Sequence, residues 1–82
     1  MPMPGVKVIV LDPDSSERQA VAGRLTARGL SVEVPERYEK ATERLSGNAY
    51  GLVIVDLDML GEKWAARLSE LKQQAPETEV IV

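Results

Sequence analysis

Two aspartates stand at the ends of apolar runs, Val8-Ile9-Val10-Leu11-Asp12 and Leu52-Val53-Ile54-Val55-Asp56. A carboxylate ligates hard cations through oxygen, and it also caps helices. Which chemistry applies depends on where each run ends. Continuous β-branched runs read as parallel strands buried on both faces. Open α/β sheets bind ligands beyond the carboxyl ends of such strands. If these two strands are neighbours, Asp12 and Asp56 converge on one small acidic site. Asp14 and Asp58 follow two residues behind each.

The rest of the composition narrows the chemistry. The 82 residues make one small domain, and 44% apolar content is ordinary for a globular chain. There is no cysteine and no histidine, which excludes disulfides, thiolate metal sites, common zinc sites and histidine-based catalysis. Ten basic and thirteen acidic residues are well mixed, for a net charge of −3. They form no basic stripe, so direct nucleic-acid binding is not indicated. No apolar stretch reaches the length of a membrane span, and Met1 to Gly5 lacks the features of a signal peptide. A cytoplasmic protein is the expectation.

The elements that must position the aspartates follow from periodicity and punctuation. Pro2, Pro4 and Gly5 suggest an extended lead-in over 1–5, with the domain proper over 6–82. Val6 to Leu11 is the first strand. Asp14 with Glu17 reads as a capping box for a helix carrying Ala20, Val21, Ala22 and Leu25 inward, and Arg18, Arg24 and Arg28 largely off that stripe. Gly29 suits its C-terminal stop. Leu30 to Val34 alternates as a half-exposed edge strand. A short helix follows over Tyr38 to Leu45, then a turn at Ser46-Gly47-Asn48. After Leu52 to Val55, a third helix is expected from about Glu62 to Gln74, with Trp64, Leu68 and Leu71 inward. Glu79 to Val82 is a fourth strand. The order β-α-β-α-β-α-β implies a parallel α/β sheet with right-handed crossovers.

At this point the chain resembles the receiver domain of two-component response regulators. The matching stretches are Val8 to Asp14, Glu39 to Leu45, Asp56-Leu57-Asp58-Met59-Leu60-Gly61, and Leu71 to Val82. The resemblance implies a flavodoxin-like sheet of order 2-1-3-4, lacking the last helix-strand-helix, so that 6–82 reads as a truncated receiver domain. It implies a role in phosphorelay signal transduction rather than an enzyme. Asp56 becomes the phosphoacceptor and a sensor histidine kinase the donor. Magnesium becomes the cofactor, held by Asp12, Asp56 and the backbone carbonyl of Asp58. The chain departs from the family pattern where a second acid is usual, at Pro13; Asp14 reads first as a helix cap, and as the substitute ligand only where the loop turns it inward. Leu60 replaces a usual proline and Trp64 a usual glycine, and the phosphoryl-binding serine or threonine and the lysine have no counterpart in the sequence.

A nucleophilic carboxylate facing a phosphoryl anion needs a cation to offset repulsion, and phosphoryl transfer depends mostly on positioning and charge stabilisation. With Pro13 in place of an acid and no counterpart of the phosphoryl-pairing lysine, weak magnesium binding and slow or no phosphorylation are expected. Trp64 and Tyr38 are expected to pack, and Lys63 to be solvated. The fourth strand presents Val80, Ile81 and Val82 at an open edge, so self-association through it is expected. The alternative function is a pseudo-receiver: an interaction or dimerisation module without phosphorylation. A nucleotide-binding enzyme is disfavoured, because no glycine-rich loop follows the first strand.

Overall fold

A computed structural model describes residues 6–47 and 49–82. The lead-in over 1–5 and Asn48 of the turn cluster lie outside the described residues. The elements are β1 (Lys7–Leu11), α1 (Ser15–Thr26), β2 (Ser31–Glu33), α2 (Tyr38–Gly47), β3 (Leu52–Val55), α3 (Leu57–Leu60), a single 3₁₀ turn (Gly61–Lys63), α4 (Trp64–Gln74) and β4 (Glu79–Ile81). The four strands form one sheet of order β2-β1-β3-β4. Every pairing is parallel, with Ile9 opposite Glu33 and Val53, and Val53 opposite Val80.

β1 is the central strand that its composition demands. Val8, Ile9, Val10 and Leu11 are all at most 2% exposed, because neighbours flank both edges and helices cover both faces. Ile9, Leu11, Val53 and Val55 point to one side, where they meet Tyr38, Ala41 and Leu45 of α2, Leu60 of α3 and Leu71 of α4. α1 packs on the other side, against β1 and β2. It buries no residue fully; Val21, Ala22 and Leu25 are half-buried and Ala20 is exposed.

The local chemistry refines several expectations. The helix expected from about Glu62 to Gln74 is α4, entered through the 3₁₀ turn, and the short α3 before it lies outside that expectation. Gly61 adopts φ 73 and ψ −155, a region open essentially to glycine, and this breaks the chain between α3 and α4. The capping box is only half formed. Asp14 accepts from the Ser16 and Glu17 N–H groups, but its own N–H goes to Asp12 rather than to Glu17. Glu33 does not face solvent as the alternation suggests. It is half-buried, accepting from the Tyr50 hydroxyl and pairing with Arg44. Trp64 is 45% exposed rather than packed inward. It opens α4 one turn before that helix reaches the core at Leu68 and Leu71. Tyr38 is buried as expected and Lys63 is exposed.

Candidate functional site

The strand pairing decides the geometry of the acids. β1 and β3 lie side by side in register, with Leu11 opposite Val55. The Asp56 N–H donates to the Leu11 carbonyl at 2.8 Å, the last rung before both chains leave the sheet. Asp12 and Asp56 therefore emerge at one rim. Both line a cleft of about 400 Å³, together with Val21, Ile54, Leu57 and Val82. Asp12 is half-buried there and Asp56 is exposed. A larger surface cleft of about 560 Å³ lies along the outer side of α4, lined by Trp64, Leu68, Lys72 and Pro76, away from the carboxylates.

Each aspartate folds the turn that follows it. Asp12 Oδ1 accepts from the Asp14 N–H at 2.9 Å, and Asp56 Oδ1 accepts from the Asp58 N–H at 2.9 Å. Such side-chain-to-backbone bonds are the local habit of aspartate at turns and helix starts. Asp56 is thereby the N-cap of α3. In both residues the second carboxylate oxygen has no partner among the described residues. Asp14 is differently placed. Its Oδ1 holds the first-turn N–H groups of α1 at 2.8 and 3.2 Å, and it does not line the cleft. Asp58 is exposed in the first turn of α3.

Two arginines reach these loops: Arg18, which sequence patterning set off the inward stripe, and Arg67. Arg18 donates from its guanidinium to the Asp12 carbonyl at 2.8 Å, and its Nε is buried without a partner. Arg67 donates to the Leu60 carbonyl at 3.2 Å, at the far end of α3. Arg18 was legible in part. With Val21, Ala22 and Leu25 it occupies i, i+3, i+4 and i+7, so it extends the inward stripe toward the end of β1. Arg67 carried no such signal.

The donor set fits a particular kind of cation. Among the described residues no group of three His, Cys, Asp or Glu side chains is placed to hold a metal. Two carboxylates with free oxygens suit magnesium, which keeps most of its waters and binds through one or two carboxylates together with a phosphate. They do not suit a fully protein-ligated metal.

No family model matches the chain, and no curated protein matches it. Among solved structures it is similar to a response regulator from Thermotoga maritima, at 25% sequence identity and a TM-score of 0.81. The likeness covers 92% of this chain and 62% of that one, so the 82 residues span about three fifths of the regulator's length. The sheet order β2-β1-β3-β4 with helices on both faces is the flavodoxin-like, receiver-like fold of that regulator.

Proposed function

We propose that this receiver-like domain works in phosphorelay signalling by accepting a phosphoryl group on Asp56. The observation that carries the reading is the emergence of Asp12 and Asp56 from paired strands into one cleft. Asp56 is exposed, and its Oδ1 is held by the Asp58 N–H. The other oxygen is the nucleophile. It attacks phosphorus, the bond from phosphorus to the donor breaks with its electron pair leaving on the donor, and an acyl phosphate remains on Asp56. Asp12, Asp56 and the Asp58 carbonyl would hold magnesium, which would offset the charge of the phosphoryl oxygens. Asp14 contributes through the α1 cap. Arg18 keeps the Asp12 loop in place from behind.

The proposed setting is the cytoplasm, with a sensor histidine kinase as donor. Neither enzymatic turnover nor nucleic-acid contact is part of this role. Among the described residues no helix is long and apolar enough to cross a membrane. The experiment is magnesium titration followed by Trp64 fluorescence, in the wild type and in Asp56→Asn. A saturable response that disappears in Asp56→Asn is expected. A wild-type response that survives the substitution unchanged would remove Asp56 from the cation site.

A second reading is favoured by one observation. Ile81 and Val82 are 51% and 64% exposed at the β4 edge, whereas the other large aliphatic side chains among the described residues are wholly or partly buried. An interaction module without phosphorylation would use that edge, by pairing with a second copy. Analytical ultracentrifugation of the 82-residue chain at low micromolar concentration tests it. A folded monomer there contradicts self-association.

A further inference from the structure

α3 is only four residues long, with Asp56 capping its start and Leu60 ending it. A helix this short cannot satisfy its own last carbonyls. The Leu60 carbonyl, which opens the 3₁₀ turn as its N-cap, also accepts from the Arg67 guanidinium, at 3.2 Å. The same guanidinium lies over the Tyr38 ring, 4.8 Å from its centroid, within the range of a cation–π contact. Tyr38 opens α2 and is buried. Its hydroxyl donates to the Glu70 carboxylate at 2.5 Å, and it lies 3.3 Å from the Arg67 carbonyl. One planar cation thus bridges the turn that carries the acceptor and a ring fixed at both its face and its hydroxyl.

We propose that Arg67 is a positioning residue for the Asp56 site, clamping α3 to α2 so that the state of Asp56 is felt at the seam between α2 and α4. The second half rests on the reading of Asp56 as phosphoacceptor. A phosphoryl group adds roughly −1.5 to −2 charges at the start of α3. The Leu60 carbonyl stands at the other end of the same single turn, so a shift of the turn reaches Arg67 directly. From there it reaches Tyr38 and Glu70 through contacts already made.

Arg67→Met keeps an unbranched stem against Tyr38 and removes the donor. Arg67→Lys restores a donor able to reach the Leu60 carbonyl but not the planar stack. Amide hydrogen exchange without magnesium is measured first. Exchange at Asp58 to Gly61 is expected to quicken about tenfold in Arg67→Met and to be partly rescued in Arg67→Lys, while β1 amides stay unchanged. Labelling by acetyl phosphate with magnesium chloride is measured next, at a temperature where all variants are folded by circular dichroism. It is expected to slow at least fivefold in Arg67→Met, with partial recovery in Arg67→Lys. Unchanged exchange in the turn, or equal labelling rates in wild type and Arg67→Met, overturns the proposal. An unlabelled wild type refutes the phosphoacceptor reading instead and takes the coupling with it, and the exchange arm then decides whether Arg67 holds the turn.

Discussion

On the α2 and α4 side of the sheet, Ile9, Leu11, Val53 and Val55 are at most 1% exposed, and each covering helix buries at least one residue fully. On the opposite side α1 buries none, and Ile81, which shares that face with Ile54 by register, is half open to solvent. The two faces divide the work. One supplies the cohesion that fixes strand order and register; the other is a lighter cover. The acidic rim depends on the first, because register alone sets Asp12 beside Asp56. A site built this way fails when the α2 and α4 side loosens, while α1 contributes to it locally, through Arg18, Val21 and the Asp14 cap.

That asymmetry breaks most simply by comparing truncations on the two faces. Leu71→Ala, at a position with no exposure, should cost about 2–5 kcal/mol in urea unfolding. Val21→Ala, half-buried on α1, should cost clearly less, about 1 kcal/mol, since part of its surface is already solvated. Equal losses would mean that both faces carry the fold alike.

The junction between α3 and α4 sharpens the comparison next. Gly61→Ala places a Cβ where φ is 73 and should cost about 1–3 kcal/mol, although no neighbouring atom lies within 4 Å of that Cβ. The loss is therefore backbone strain alone, and thermal unfolding with a stability change below a few tenths of a kcal/mol would refute it. Asp14→Ala should remove about 1 kcal/mol through the lost cap, whereas Asp14→Ser keeps a capping oxygen and most of the stability. If Asp14→Ser abolishes the magnesium response while the fold holds, Asp14 is a ligand and not only a cap.

The smallest effect concerns pH. Burial, and then the hydrogen bond to the Glu70 carboxylate, push the Tyr38 phenol well above its ordinary value near 10. The folded state thus holds this proton after the unfolded state has released it. The stabilisation is complete below about pH 10 and declines as pH rises from there toward the folded value. Wild type should lose stability relative to Tyr38→Phe above pH 10, as chemical denaturation at pH 9 and pH 11 would show. A constant difference between the two contradicts the assignment.

Much of this molecule was legible in its residues. The runs ending at Asp12 and Asp56 declared interior strands; burial on both faces holds for β1, whereas Leu52 and Ile54 of β3 are only half-buried. Gly29, at φ 89, marked the stop after α1. What escaped was decided by partners far along the chain. Glu33 looked solvent-facing because nothing local reveals that Tyr50 and Arg44 meet it. Arg67 carried no signal because both its targets, Leu60 and Tyr38, are set by tertiary packing. α3 was missed because four residues carry no helical period. The acidic pair itself was legible, but the commitment of Asp14 to the α1 cap and of one oxygen on Asp12 and on Asp56 to its own turn was not.

The claim beneath all of this is that two neighbouring strand ends make one chemical site. Mapping acetyl phosphate labelling by peptide mass spectrometry tests it most directly, in wild type, Asp12→Asn and Asp56→Asn. One phosphoryl group on the peptide containing Asp56 is expected in the wild type, at least tenfold slower in Asp12→Asn and absent in Asp56→Asn. Labelling that maps elsewhere, or that proceeds at the same rate without the Asp12 carboxylate, contradicts a shared site.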